Sequence, residues 1–374
     1  MRVVMFYHSL ISDWNHGNAH FLRGIVRELR ARSHEVRVLE PRDGWSRLQL
    51  IRDQGPGALE ALRVAQPDLT STLYGPGVPD LDRLLDDADL VLVHEWNAPA
   101  LVRAIGAHRR RAGGYRLFFH DTHHRSVSAP AEMAAYDLSQ YDGVLAFGEV
   151  VRQRYLDESW ADGVWTWHEA ADARLFRPHP EISAEGDVVW IGNWGDDERS
   201  SELEEYLIGP IERLGLRSRV YGVRYPDEAR ARLASAGVEY AGWLPNHRVP
   251  DAFARFAATV HVPRRPYVKA LPGVPTIRVF EALACGIPLV SAPWDDAEHL
   301  FTPGTDFLVA RSGAGMREAL TDLLQDRGAA GAMAARGLDT IRRRHTCAHR
   351  VDELMTILAS LQTVPTSAAS RRSA

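Results

Sequence analysis

Short apolar runs alternate with longer amphipathic stretches along most of the chain, and the two patterns predict different elements. Arg2–Tyr7, rich in valine and aromatic residues, reads as a buried strand. After a polar stretch, Phe21, Leu22, Ile25, Val26 and Leu29 recur at helical spacing, with Arg23, Arg27, Glu28 and Arg30 opposite them. Glu35–Leu39 is the next strand. A strand, loop, helix and strand in that order open a parallel, doubly wound sheet. Leu90–His94, Arg116–His120, Gly143–Phe147 and Trp165–Trp167 continue it, with helices predicted over Leu101–Arg111 and Glu149–Leu156.

Arg174–Gly186 breaks the pattern. It holds Pro178, Pro180, Glu181, Ser183 and Gly186 without periodicity, so it reads as a linker. A second alternation then begins at Asp187–Ile191. Further strands are predicted over Arg219–Tyr221, Val238–Tyr240, Thr259–Val262, Pro288–Ser291 and Phe307–Val309. Helices are predicted over Ser200–Leu214, Asp227–Ala236, Pro250–Phe256, Thr276–Ala284, Gly315–Leu324 and Ala329–Arg343. The expected fold class is α/β, with two doubly wound parallel sheets in tandem facing a cleft. The Ser/Ala/Arg-rich stretch Thr363–Ala374 is expected to be disordered.

Composition narrows the class. Forty-four Lys and Arg against 49 Asp and Glu give a net charge of −5, which argues against a general nucleic-acid binder. No run approaches the ~20 apolar residues of a transmembrane helix. Met1–Ile11 has Arg2 as its one charge and includes His8 and Ser9, which suits a first strand better than a leader. The spacing of Cys285 and Cys347 fits neither a disulfide framework nor a cysteine-based zinc site, in keeping with a cytoplasmic setting.

Candidate chemistry lies in the loops that follow strands. His16-Gly17-Asn18-Ala19-His20 precedes the first helix and lacks the three glycines of a dinucleotide fingerprint, although Gly17 lets a ligand approach the backbone. His120-Asp121-Thr122-His123-His124 ends one strand, where ligands of parallel sheets bind. His94-Glu95-Trp96-Asn97 ends another, and a carboxylate beside an indole suits a sugar. Pro275 precedes a helix opening at Thr276 and Ile277, whose free N–H groups can take a phosphate. Arg264, Arg265 and Lys269 add positive charge upstream, and Glu281 can accept from two vicinal ribose hydroxyls.

Several of these segments resemble the retaining GT-B glycosyltransferases, family-4-like members above all. Gly17–Val38 is similar to their glycine loop and Gly-His-Glu-Val strand, here Ser33-His34-Glu35-Val36. Glu169-Ala170-Ala171-Asp172, with Phe176 and Pro178, resembles their Asn-Gly-Val-Asp hinge. Trp190-Ile191-Gly192-Asn193 resembles the Gly-Arg loop at the donor pyrophosphate, with Asn193 in place of the arginine and Arg199 as its candidate substitute. Phe280-Glu281-Ala282-Leu283-Ala284-Cys285-Gly286-Ile287-Pro288 resembles the donor-binding helix. The family pairs two glutamates eight positions apart. Glu281 matches the second and Gly273 falls at the first, a departure that looks like the spore-maturation-protein (CgeB)-like branch.

The resemblance implies an acceptor domain over residues 1–178, a nucleotide-sugar donor domain over 186–345 and a helix over 346–362 returning to the first domain. It implies sugar transfer from a nucleoside diphosphate, UDP or GDP, to an unidentified acceptor, with retention of configuration and no metal or other cofactor. His120 and Asp121 would be catalytic. Gly17, Asn193, Arg199, Arg264, Arg265, Lys269, Thr276, Ile277 and Glu281 would bind the donor. His20, Glu95, Trp96, His168 and Glu169 would meet the sugar or acceptor. Two alternatives share the architecture, a sugar-nucleotide epimerase and a non-catalytic nucleotide-sugar binder. A third is a metal-dependent hydrolase built on His120, His123 and His124.

Overall fold

The computed structural model describes residues 1–362; the stretch expected to be disordered, 363–374, lies outside them. Seven parallel strands form the first sheet: β1 (Arg2–Phe6), β2 (Glu35–Pro41), β3 (Ser71–Tyr74), β4 (Leu90–His94), β5 (Arg116–Asp121), β6 (Gly143–Ala146) and β7 (Val164–Thr166). Their spatial order is β3-β2-β1-β4-β5-β6-β7. Six parallel strands form the second: β8 (Gly186–Ile191), β9 (Ser218–Tyr221), β10 (Val238–Gly242), β11 (Phe256–His261), β12 (Leu289–Ser291) and β13 (Leu308–Val309). Their order is β10-β9-β8-β11-β12-β13. Central strands such as β4 and β11 are buried at every residue, because helices cover both faces of a parallel sheet. That is why they read as unbroken apolar runs.

Each sheet reverses its winding beside its first strand, between β1 and β4 and between β8 and β11. Crevices open at the carboxyl ends of strands at such points. The two crevices face each other, and this places the site described below.

Elements outside the predicted set include the helices Trp45–Gln54, Gly57–Ala65 and Arg265–Ala270, the short helices Leu81–Leu84, Arg125–Ser128 and Pro130–Met133, and the edge strand β3. β3 is partly exposed along its length, so it lacks the apolar run that betrays its neighbours. The helix predicted over Ser200–Leu214 contains a π-helical stretch, Glu204–Ile208, just before Gly209-Pro210. A proline inside a helix has no N–H and crowds the carbonyl four residues back, and the wider π turn relieves both.

The last helix, Cys347–Gln362, packs on the Ala19–Ala31 helix of the first sheet. Trp167 Nε1 donates to the Arg350 carbonyl at 2.7 Å, and Arg32 pairs with Asp352 at 2.5 Å. Gly24 permits the approach: a Cβ there would lie 2.4 Å from Cys347 Sγ and 2.9 Å from Asp172 Cβ. Gly24→Ala should therefore lower the urea midpoint. Overpacking costs ~1–3 kcal/mol, more than the ~1 kcal/mol that alanine gains in a helix. Gly57→Ala, where a Cβ meets nothing within 4 Å, should leave it unchanged or slightly raised. Equal midpoints for the two variants would refute this packing.

Candidate functional site

A cavity of about 700 Å³ lies between the two crevices. The loops after β1, β4 and β5 line it from the first sheet, and those after β8, β9, β10 and β11 from the second. The Ile277–Cys285 helix opens onto it through Thr276, Ile277 and Arg278. Thr276 does not cap that helix with its side chain; its hydroxyl meets His261 Nε2 at 3.0 Å instead. The Val279 N–H donates to the Thr276 carbonyl at 3.0 Å, while those of Ile277 and Arg278 precede any helical acceptor. Gly17 sits against this end, where a Cβ would lie 3.3 Å from Ile277 Cγ2.

Four arginines line the cavity in different electrical states, Arg224 among them paired with Asp196 at 2.8 Å. Arg264 pairs with Glu198 at 2.7 Å and Arg278 pairs with Glu281. Arg199 is buried and, among the described residues, pairs with no carboxylate. Its guanidinium donates to the carbonyls of Val262, at 3.0 Å, and Asn193, and packs over the Trp190 ring at 5.2 Å. Burial, with Arg264 and Arg278 close by, pulls its pKa down to about 9. The wall thus carries a buried cation without a counter-ion next to a helix N-terminus, an arrangement that attracts a multiply charged anion. Beyond it, Tyr221, Val223, Trp243 and Leu244 offer an apolar recess.

A sequence-family profile described as glycosyl transferase-like matches residues 199–356, which include Arg199, Arg264, Arg278 and the Ile277–Cys285 helix. The solved structures of three proteins superpose over 96% of this chain. They are an α-glucosyltransferase in complex with UDP and a 13-mer DNA (TM-score 0.68, 11% identity, 99% of its chain), HepE of Anabaena in complex with UDP (0.67, 14%, 100%), and sucrose-phosphate synthase of Thermosynechococcus elongatus (0.64, 13%, 100%). No curated protein matches the sequence. The fold is GT-B. At these identities the likeness speaks for architecture, and the residues themselves must carry the chemistry.

Of the residues expected at the GT-B site, Gly17, Asn193, Arg199, Arg264, Thr276, Ile277, Trp96 and Glu169 line the cavity. Asn193 reaches across it: its amide meets Asn15 of the first sheet, and its carbonyl oxygen accepts from the Val223 N–H at 3.0 Å. Arg265 turns away to Glu202 at 2.8 Å, and Lys269 is exposed on the outer side of its short helix. Glu281, expected to hold a ribose, is fully buried. Its Oε1 accepts from His20 Nδ1 and Asn246 Nδ2, both at 2.9 Å, and its Oε2 from Arg278. Burial pushes its pKa up, but Arg278, His20 and Asn246 together hold it below the usual carboxylate value. Both of its oxygens thus have partners within the protein.

His20 is correspondingly structural. Its Nε2 accepts from the Asp172 N–H at 2.6 Å, so Nδ1 carries the proton given to Glu281, and the ring stacks on Phe176. His120 and Asp121 lie beneath the cavity rather than in it. His120 Nδ1 meets the Tyr7 hydroxyl at 2.5 Å, with Phe21 and Trp167 against the ring, and Asp121 accepts from Tyr155 at 3.0 Å. Glu95 is buried against Arg125 at 2.8 Å, and Arg125 covers one face of Trp96 at 4.3 Å. His168 pairs with Glu298 at 2.7 Å, outside the cavity wall. The hydrolase cluster does not form: His120 is held by Tyr7, and His124 Nδ1 meets Ser128 at 2.9 Å. Among the described residues no group of three His, Cys, Asp or Glu is placed to hold a metal.

The residues that sequence reasoning missed are Arg278, His8, His16, Trp190 and Trp243 on the wall, with Asp13 behind them. Asp13 accepts from Trp243 Nε1 and from the Asn246 N–H, both at 3.1 Å, and from Arg23 at 2.9 Å. Arg278 had a signal, its place in the first turn after Pro275. Asp13 and Trp243 had none, because they meet only through the fold.

Burial sets the pH response. Desolvation pulls the pKa of His8 down to about 4 and that of His120 to about 3. Desolvation, with Arg199 near one and Arg350 near the other, takes His261 and His345 to about 3. In the unfolded chain each takes up its proton near pH 6.5. Between these limits the unfolded state binds more protons, so stability is full above pH 6.5 and falls below it, by up to ~1.4 kcal/mol per pH unit for each group. Glu169 acts oppositely, since burial and Glu281 raise it to about 8 and its contribution is lost as pH rises to that value. The histidines outnumber it. Denaturant midpoints should peak near pH 6.5 and drop steeply toward pH 4.5; a flat profile between pH 7 and 5 would contradict the buried, neutral state of these rings.

Proposed function

We propose that the chain transfers a sugar from a nucleoside-diphosphate sugar to an acceptor hydroxyl. The observation that carries this reading is Arg199, a buried guanidinium with no carboxylate partner on a wall shared with Arg264, Arg278 and a helix N-terminus. A diphosphate supplies the missing negative charge through charge-assisted hydrogen bonds. The same groups act on the leaving group. As the bond from the anomeric carbon to the phosphate oxygen breaks, negative charge grows on that oxygen, and fixed cations and N–H dipoles stabilise it without reorganising.

The recess of Tyr221, Val223, Trp243 and Leu244 suits the flat face of a base. HepE and the α-glucosyltransferase bear UDP in their described complexes, which favours uridine here. We assign retention: the acceptor proton passes to the departing phosphate oxygen while the acceptor oxygen bonds the anomeric carbon on the same face. This needs no strong base, consistent with His120 lying below the cavity. Gly273 favours the spore-maturation-protein-like branch. Its φ of +86° suits glycine, and a Cβ there would lie 2.6 Å from Glu298 Cγ, so no glutamate fits. Two buried free thiols, Cys285 and Cys347, support a cytoplasmic setting.

Calorimetry with UDP, GDP and ADP should find one nucleotide bound well above the others. Arg199→Ala and Arg264→Ala should each weaken it by about 10- to 100-fold, the ~1.5–3 kcal/mol of a charged hydrogen bond. Lys269→Ala should leave it unchanged. Failure of all three nucleotides to bind would remove the donor reading. Release of nucleoside diphosphate from the sugar nucleotide in the presence of acceptor separates a transferase from a binding-only protein.

A further inference from the structure

With the diphosphate at the arginine wall, the cavity still holds polar groups without partners. Glu169 is 6% exposed and lines the cavity, and among the described residues its side chain makes no hydrogen bond or ion pair. A carboxyl group so largely buried, with no protein partner and open only to the cavity, is left for a ligand to satisfy. His8 Nδ1, His123 Nδ1 and Asn18 Oδ1, on the same cavity, are likewise buried without partners. A void lined by unmatched acceptors suits a molecule bearing many hydroxyls, each able to donate and to accept.

The backbone fixes where Glu169 points. On one side Trp167 is tied to Arg350, and on the other Asp172 is tied to Arg27 at 2.9 Å. The residue follows β7 in the passage between the sheets, and the charged groups that bear on it are Glu281 and Arg278. The neighbouring position that could offer a second carboxylate does not. Gly273 has no side chain, and the carboxylate occupying that space, Glu298, is spent on His168 and on the Glu149 N–H at 2.8 Å.

We propose that Glu169 binds the hydroxyls of the transferred sugar. The assignment rests on the donor reading above. Burial and Glu281 keep the carboxyl protonated at neutral pH, with a pKa of about 8. In that form it donates one hydrogen bond, accepts others and does not repel the adjacent diphosphate.

The test compares each nucleotide with its sugar form by calorimetry: UDP with UDP-glucose, GDP with GDP-mannose, ADP with ADP-glucose. For the wild type the sugar form of the preferred nucleotide should bind about ten-fold more tightly than the nucleotide alone. Glu169→Ala should abolish that increment and leave the nucleotide's own Kd within about two-fold. Glu169→Met, which keeps volume and removes both oxygens, should do the same should the alanine variant fail to fold. Glu169→Gln, an uncharged hydrogen-bonding isostere, should retain most of the increment. An increment that survives Glu169→Ala or Glu169→Met overturns the assignment, as does an equal loss for nucleotide and sugar nucleotide. Absence of all nucleotide binding in the wild type overturns the donor reading itself, and this inference with it.

Discussion

A carboxylate removed from water must have its charge matched by neighbours, and the matching of Glu281 fixes much of this molecule. Its oxygens are met by His20 from the first sheet's opening helix and by Asn246 and Arg278 from the second. Taking away one partner leaves a buried charge uncompensated, at ~3–5 kcal/mol. The ion therefore ties the two sheets at one register. It also sets the direction of Arg278, whose guanidinium stands between Glu281 and the cavity. Asp13 repeats the arrangement with Arg23, Trp243 and Asn246. Two buried acids thus add directional ties to an apolar cluster that itself runs through both sheets.

Arg199 is the opposite case. Its partners are carbonyl dipoles, not charges, so the folded protein keeps a desolvated cation incompletely compensated. That is a local loss of stability retained at a site, a common relation between stability and function. An anion that fills the cavity supplies the missing partner, and its binding free energy is returned as stability by mass action. The asymmetry between the sheets follows. Cations and the helix N-terminus belong to the second sheet, while the first presents neutral rings, hydroxyls and Trp96. One side is thus rich in charge and the other in neutral rings.

How far the sequence reveals this depends on where each partner lies along the chain. Strands buried on both faces, such as β4 and β11, are legible because burial alone dictates their composition. The edge strand β3 is not. At the site, the chain order shows which strand ends matter but not how deep each side chain sits. His94 and His120 pair in register on β4 and β5, still inside the sheet, and the chain reaches the cavity only at Thr122 and beyond. The end of the strand in the sequence and the start of the cavity wall thus differ by two positions. Glu281 shows a second limit. Its apolar flanks, Phe280, Ala282 and Leu283, announced burial, but His20 lies 261 positions away and Asn246 35. No local pattern reports partners at those separations, so the contacts that Glu281 makes within the protein were not legible.

The same polar ties bear on how a substrate enters. Around the cavity the lobes meet through hydrogen bonds such as His168 to Glu298, the Glu149 N–H to Glu298, and Asn15 to Asn193. Each exchanges for water when the lobes part, so its net contribution is only ~0.5–1.5 kcal/mol. An apolar seal of equal extent would resist opening by the full area exposed, at ~25 cal/mol per Å². Leu271 and Val274 of the second lobe, packed into the first sheet's core, supply such a seal beside the Glu149 tie, where a Cβ on Gly148 would lie 2.4 Å from Val274 Cγ2. The rim is thus held by apolar packing and hydrogen bonds together, and the buried acids Glu281 and Asp13 add their ties. Gly17 lies against Ile277, where a side chain would crowd the first turn of the helix.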